Sequence, residues 1–375
     1  MKKITKLRFF DTYKDCIALY PDCDYYIIYS ERSNGKTYSA LYYALDEYYK
    51  NNRACAYIRR WYDDIKSDKG ASLLKNLLHD KRIEEITHNK YNGVVYKNKC
   101  YYLAKYDGDG NLIEQDKNEC IHLFSLSEEE HYKSTAFPQI KTIIFDEFIA
   151  RGYEMQNEFI IFSNLLSTII RLKDDVKVIM LANSINLYRT TYFKNMGINH
   201  VKDQKINTID LYENAKSGLK MAVMYGSFVD KKGNRQKKPS DKYFSFDNPQ
   251  LKMITEGKWE LRVYPPLETK YSDKDIKLMY FIEYDNNILQ CEVIYTNQKA
   301  FTYIHRKTTP IQPKQNLVYS LAYSDNPFHR RNIGKPQTKL ENKILWFFKV
   351  DLVRYQDNEV GEIVSAYLRD CNFRL

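Results

Sequence analysis

The chain has 375 residues, 43% of them hydrophobic and 28% charged, with a formal net charge of +10. That length suits two domains with a connecting piece, and the apolar fraction is enough for real cores. No apolar run approaches a membrane span, the seven cysteines contain no C-x-x-C pair and the seven histidines no H-E-x-x-H, so a membrane protein, a disulfide scaffold and a resident zinc site are set aside.

No apolar signal region follows Met1-Lys2-Lys3-Ile4-Thr5-Lys6, and the expectation is a cytosolic, non-secreted protein. The basic charge suits a polyanionic partner without requiring one. The 34 tyrosines, beside abundant Lys, Asn and Ile, reflect an A·T-rich coding genome more than a stacking surface.

In residues 1–25, Phe9, Phe10 and Tyr13 precede a Pro21-Asp22 turn. They suit packing under a sheet, with stacking on a base as the alternative. Tyr26 to Tyr29 then reads as a buried strand. It runs into Ser30-Glu31-Arg32-Ser33-Asn34-Gly35-Lys36-Thr37, which matches the phosphate loop G-x-x-x-x-G-K-[ST] with Ser30 in place of the first glycine. In such a loop backbone N–H groups and a helix N-terminus wrap phosphates. Lys36 reaches the β and γ phosphates, Thr37 holds Mg²⁺, and Arg32 adds a second cation. Tyr38 to Lys50 follows as a helix, with Leu41, Ala44, Leu45 and Tyr48 at helical spacing. Ala54 to Ile58 is a second strand, completing a right-handed βαβ unit. It closes on Arg59-Arg60, which puts one of them near the ligand or a ring interface, or else at a solvated strand end.

Residues 61–90 read as helical and charged; Lys66 and Lys69 flank Gly70 on a solvated face, or on a pore-facing one in a nucleic-acid motor. A hairpin follows, Gly93 to Tyr96 and Cys100 to Ala104. The Asp107 to Asn111 turn fails the calcium-loop pattern, with Leu112 and Asn118 at its glycine and glutamate positions. Cys120 to Ser125 is a strand, and Ser127 to Ala136 is polar and carries Lys133. Thr142-Ile143-Ile144-Phe145-Asp146-Glu147 has the Walker-B form. Asp146 projects towards Mg²⁺ and Glu147 polarises the attacking water. Together with the phosphate loop, this pair points to an NTPase. Glu158 to Leu172 is an amphipathic helix that ends at Arg171, Leu172 and Lys173. Val176 to Leu181 is a strand whose end, Asn183-Ser184, either senses the γ-phosphate or caps the next segment.

Residues 213–226 read as a helix, and the basic run Lys231 to Pro239 as an exposed loop or linker. Beyond it, Lys277 to Asp285, Ile288 to Thr296 and Lys299 to Arg306 form an antiparallel meander. Helices are expected over Thr338 to Leu352 and Glu359 to Arg369. The order is compatible with a ribonuclease-H-like half. Glu283, Asp285, Glu292, Asp325 and Asp351 form no convincing two-metal nuclease motif. His305-Arg306-Lys307 and His329-Arg330-Arg331 offer basic points for a nucleic acid or partner.

The loop containing Arg32, the Tyr57-Ile58-Arg59-Arg60 strand end, the Asp146-Glu147-Phe148-Ile149 run and Leu181-Ala182-Asn183-Ser184 occur in one order that resembles the DNA-packaging ATPases of phi29-like short-tailed phages. The resemblance covers residues 25–200 well and the rest loosely. It implies an α/β fold. An ASCE/RecA-like ATPase domain with a mostly parallel sheet occupies 1–215, a linker or lid 216–255, and a smaller α+β, ribonuclease-H-like domain without cleavage activity 256–375. The implied nucleotide contacts are Ser30, Arg32, Ser33, Asn34, Gly35, Lys36, Thr37, Asn183, Arg59 and Arg60, with Thr37 and Asp146 on the metal and Glu147 catalytic. Arg171 is implied as an arginine finger acting on a neighbouring subunit's ATP, and Lys133 as a second residue acting across that interface. The implied partners are ATP, Mg²⁺, double-stranded DNA, the prohead portal and a packaging RNA, with the protein in a homopentameric ring in the host cytoplasm. The competing readings are a terminase large subunit with an active nuclease half and a non-motor nucleotide-binding module.

Overall fold

The computed structural model describes residues 2–7, 14–31, 34–150, 154–183, 190–198, 200–201, 204–227, 242–243, 263–285, 287–297, 299–311 and 315–373. They fall in two compact units, Met1–Trp259 and Glu260–Leu375. Phe9, Phe10, Tyr13, Arg32, Ser33, Ser184 and the basic run Lys231 to Pro239 lie outside the described residues.

The first unit begins with β1 (Lys2–Leu7), α1 (Lys14–Leu19), β2 (Tyr25–Ser30), α2 (Lys36–Asn51) and β3 (Ala54–Arg59). Three short helices follow, α3 (Ser67–Ala71), α4 (Lys75–His79) and α5 (Arg82–Ile86). Next come β4 (Gly93–Lys97), β5 (Cys100–Tyr106), β6 (Leu112–Gln115), β7 (Ile121–Ser125) and β8 (Ile140–Asp146). The unit closes with α6 (Glu158–Ile170), β9 (Lys177–Asn183), α7 (Tyr192–Asn195), β10 (Thr208–Glu213) and β11 (Lys220–Gly226).

Among the described residues these strands form one sheet in the order β1-β10-β11-β2-β9-β8-β3-β7-β5-β4, with β6 on β5. The six strands from β11 to β7 run parallel, and antiparallel strands extend both edges. Parallel strands are covered on both faces and therefore read as continuous apolar runs. Tyr26, Ile27 and Ile28 are fully buried, as are Ile143, Ile144 and Phe145. Helix α2 buries Ala40, Leu41, Ala44, Leu45 and Tyr48 on one stripe. Helix α6 buries Phe162, Leu165, Leu166 and Ile169, with Phe162 stacked on Phe145 at 4.9 Å. Strand β9 lies between β2 and β8, so the phosphate-loop strand and the Asp-Glu strand are one strand apart. Ligands of open parallel sheets bind at the carboxyl ends of such strands.

Two expectations change. The helix read over 213–226 is absent: β10 ends at Glu213 and β11 occupies Lys220–Gly226, paired in parallel with β2. The turn between them is set by Asn214, whose side chain accepts the N–H groups of Lys216 and Ser217, and by Gly218 at φ 72°. The sheet of the first unit therefore extends past residue 215. The charged helical stretch expected over 61–90 is broken into α3, α4 and α5, which cannot be one helix because Lys81, between α4 and α5, has φ 54°. Gly70 does not belong to a solvated face. It is buried, and a Cβ there would lie 2.2 Å from the Ile65 carbonyl oxygen.

The second unit holds β12 (Ile276–Tyr284), β13 (Asn287–Tyr295), β14 (Ala300–Arg306), β15 (Val318–Ser320) and β16 (His329–Arg330). Helix α8 (Lys339–Lys349), β17 (Val353–Tyr355) and α9 (Asn358–Asp370) complete it. Its sheet order is β16-β15-β12-β13-β14-β17, an antiparallel meander flanked by parallel strands. The helices start where their caps dictate: Thr338 accepts the Glu341 N–H and Asp357 the Val360 N–H. Among the described residues, no helix is long and apolar enough to cross a membrane.

Candidate nucleotide site

Strand β2 delivers Ser30 to the carboxyl edge of the sheet, and Gly35 turns the chain into α2. Gly35 has φ 77°, and nothing lies within 4 Å of where its Cβ would stand. The left-handed backbone, not space, selects glycine there. Lys36 begins the helix and is 8% exposed. Its ammonium donates to the Ser30 hydroxyl at 2.9 Å, the Glu31 carbonyl at 2.9 Å and the Asn183 Oδ1 at 3.1 Å. Ser30, which departs from the glycine of the consensus, thus ends the strand and supplies one acceptor for Lys36. Asn183 stands opposite Ser30 in the β2–β9 register, which explains how a residue at the end of β9 reaches the lysine.

Helix α2 also brings Thr37 to Asp146, at the end of β8. The Thr37 hydroxyl donates to Asp146 Oδ2 at 2.8 Å, the Tyr57 hydroxyl donates to the same oxygen at 2.7 Å, and the Glu147 N–H donates to Oδ1 at 3.0 Å. A carboxylate offers about four lone-pair sites, so Asp146 keeps one towards the cleft. Glu147 has φ 58° and turns away from the strand. Its carboxylate meets Arg59 Nη2 at 2.7 Å and is 54% exposed. Burial works against the Arg59 charge, but Tyr57, Glu147 and Asp146 outweigh it and raise its pKa.

Asn34, Gly35, Lys36, Thr37, Tyr38, Asp146, Glu147, Ala182 and Asn183 line a single cleft of about 190 Å³. Thr37 and Asp146 contribute hard oxygen donors a hydrogen bond apart. This fits a magnesium ion, which binds through one or two side-chain oxygens and otherwise through phosphates and water. Among the described residues no cluster of three or more His, Cys, Asp or Glu side chains forms a self-sufficient metal cage.

The two arginines at the end of β3 have different surroundings. Arg59 faces Glu147. Arg60 does not face the cleft: its side chain is 8% exposed and forms a two-point pair with Glu158, Nε and Nη2 each at 2.8 Å. It also donates to the carbonyls of Glu147 at 3.0 Å and Phe148 at 2.7 Å. The expectation that Arg60 contacts nucleotide is therefore replaced by a buried structural role. Arg59 is the last residue of β3 and Arg60 the first beyond it, so the chain turns between them and sends the two side chains to different partners.

Arg171 and Lys133 are absent from the cleft lining. Arg171 caps α6 with φ 48° and ψ −116°, and its guanidinium donates to the Thr135 carbonyl at 2.7 Å. Lys133 is exposed and pairs with Glu130. The carbonyl that Arg171 bonds belongs to Thr135, two residues after Lys133 in sequence. Sequence reading missed Tyr57 and Glu158 as site residues. Tyr57 carried a faint signal, a hydroxyl inside an otherwise apolar strand, Ala54-Cys55-Ala56-Tyr57-Ile58. Glu158 opens an amphipathic helix and carried none.

In the second unit, Glu292 of the carboxylates weighed for a nuclease is held by three neighbouring side chains. It accepts from Tyr271 at 2.6 Å, Gln290 at 2.6 Å and His305 at 3.3 Å.

Residues 19–372 match the family model described as podovirus DNA encapsidation protein (Gp16). The DNA packaging protein of Bacillus phage phi29 is 26% identical over 159 residues, 42% of this chain and 41% of that protein. That of Bacillus phage B103 is 27% identical over 171 residues, 44% of this chain and 46% of that protein. The chain thus spans less than half the length of these curated relatives. Among solved structures, a chain of the bacteriophage phi29 viral genome packaging motor assembly superposes with a TM-score of 0.53 at 17% identity, covering 98% of this chain and 100% of that one. The Phi-28 gp11 DNA packaging motor gives 0.51 at 18% identity, covering 97% and 98%. At these identities the structural likeness is one of fold.

Proposed function

The chain belongs to the podovirus Gp16 DNA encapsidation family, and from that premise we propose that it is a magnesium-dependent ATPase that drives double-stranded DNA into a preformed phage prohead. The observation that carries the reading is the 2.8 Å bond between Thr37 and Asp146. It brings the phosphate loop and the Asp-Glu strand, 109 residues apart in sequence, to one cleft with Lys36 and Glu147.

Lys36 leaves these acceptors for the phosphates, and Asn183, one of them, registers whether it has left. Thr37 and Asp146 hold Mg²⁺, which when bound offsets phosphate charge. Glu147 orients and polarises the attacking water once it parts from Arg59, which its exposure permits. Arg32 and Ser33, outside the described residues, and Asn34 complete the loop around the phosphates. Arg171, away from its own cleft, stabilises transition-state charge on a neighbour's ATP, with Lys133 beside it. The strained backbone at Arg171 supports a functional role, because such geometry persists chiefly where the surroundings or function demand it. The active form is a ring, homopentameric as the family resemblance implies, seated at the portal in the host cytoplasm with a packaging RNA. In the second unit the engagement of Glu292 supports a domain that binds rather than cuts.

The test is a mixing experiment. DNA-stimulated ATP hydrolysis is measured for wild type, Glu147→Gln, Arg171→Ala and an equimolar mixture of the two variants. Each variant is expected to be inactive and the mixture to recover turnover. Near-normal turnover by Arg171→Ala under conditions where wild type assembles removes the finger assignment. Normal turnover by Glu147→Gln removes the active-site assignment.

A further inference from the structure

Tyr57 is 2% exposed, in the middle of a parallel sheet. A phenylalanine would fill this place without the cost of burying a hydroxyl. The hydroxyl donates to Asp146 Oδ2 at 2.7 Å. In the β3–β8 register Tyr57 stands opposite Ile144, two residues before Asp146. Residues two apart on a strand share a face, so the ring lies along β8 and its hydroxyl reaches the carboxylate.

Asp146 Oδ2 takes a second hydroxyl, that of Thr37. If Thr37 turns its oxygen to a magnesium ion, its hydrogen bond to Asp146 is given up. Tyr57 is then the side chain that still orients Oδ2. On the other side, Arg59 lies two residues along the same strand and face, within reach of the Tyr57 hydroxyl. Its Nε is buried without a hydrogen-bond acceptor, while its Nη2 holds Glu147. The tyrosine hydroxyl therefore stands between the carboxylate of the metal site and the arginine on the catalytic glutamate.

We infer that Tyr57 is a positioning residue that fixes Asp146 for the metal and ties that carboxylate to the Arg59–Glu147 pair. The inference rests on the proposed reading of the cleft. Partners of metal ligands typically change metal affinity by about 10–100-fold when removed, and a single neutral hydroxyl belongs at the lower end.

The experiment uses the full chain with Tyr57→Phe. Binding of a fluorescent, non-hydrolysable ATP analogue is titrated with Mg²⁺, and repeated in EDTA. The Mg²⁺ concentration at half-saturation is expected to rise about tenfold, while binding in EDTA stays within about twofold of wild type. In an Asp146→Asn background, Tyr57→Phe is expected to add no further loss, because the hydroxyl acts through that carboxylate. An unchanged Mg²⁺ half-saturation overturns the inference. So does an equal loss with and without Mg²⁺, the mark of general damage to the sheet, or a full additional loss in the Asp146→Asn background. If wild type itself shows no Mg²⁺-dependent binding, the reading of the cleft falls and takes this inference with it. If wild type shows it and Tyr57→Phe matches wild type, only the role of Tyr57 falls.

Discussion

Replacing Arg60 with methionine tests whether the two adjacent arginines are as different as their surroundings. The variant keeps an unbranched apolar stem but removes four hydrogen bonds, two to Glu158 and one each to the carbonyls of Glu147 and Phe148. Glu158 is left fully buried, and among the described residues the Tyr192 hydroxyl at 3.0 Å and the Met155 N–H at 2.8 Å remain as its donors. Breaking a buried pair by deleting one partner costs about 3–5 kcal/mol, because the other charge stays uncompensated. For a unit of this size each kcal/mol moves the melting temperature by roughly 2–4 °C, so a fall of about 10 °C is expected. The assay is urea and thermal unfolding of the full chain, following the transition of the first unit. Arg59→Met is the internal control. Its partner Glu147 is half-exposed, so that loss is about 1 kcal/mol or less. Adding Glu158→Leu to Arg60→Met is expected to restore part of the loss, since no lone charge is then buried. A cost for Arg60→Met below about 1 kcal/mol, the range of an exposed pair, refutes the reasoning.

Two further expectations follow from strain and titration. Arg171→Gly relieves the φ 48°, ψ −116° backbone, a conformation only glycine adopts without strain. It is expected to raise the unfolding free energy by up to about 1 kcal/mol while abolishing turnover; equal or lower stability in a denaturant titration counts against strain at that position. In the second unit, burial pushes Glu292 up, but donors from His305, Tyr271 and Gln290 outweigh it and hold the carboxyl at about 2. His305 is pushed up, first by its bond to Glu292 and against the effect of burial. The contribution of His305 is full below its unfolded value and is lost as pH rises through its raised folded value. That of Glu292 is present above the usual carboxyl range and is lost as pH falls towards about 2. Stability of the second unit is therefore expected to peak between roughly pH 5 and 6.5, and His305→Gln to flatten the fall on the alkaline side. An unchanged alkaline slope in that variant contradicts the pairing.

Much of the first unit was legible because buried parallel strands and amphipathic helices leave plain traces. The runs ending at Ser30, Asp146 and Asn183 are continuous and apolar, and the loop between Ser30 and Thr37 carries its chemistry in order. Met221 to Tyr225 shows the limit. A short apolar run fits a buried helix turn or a buried strand equally, and it is a strand because the free edge of β2 pairs with it. Similarly, residues 61–90 carry a helical composition but contain Lys81 at φ 54° and a glycine pressed against the Ile65 carbonyl, neither of which shows in hydrophobic spacing.

By itself the sequence determined the kind of fold, and it pointed to the loop from Ser30 to Thr37, to the Asp146-Glu147 pair and to a β-rich second half. These depend on local order, on periodicity, or on motifs whose residues are adjacent in the chain. Only the tertiary structure decided which arginine meets Glu147 and which is buried, that Ser30 and Asn183 share Lys36, that Tyr57 holds Asp146, and that Glu158 is the partner of Arg60. Each of those depends on strand register and on which face a side chain takes, and both are set by partners distant in sequence whose pairing no local pattern encodes.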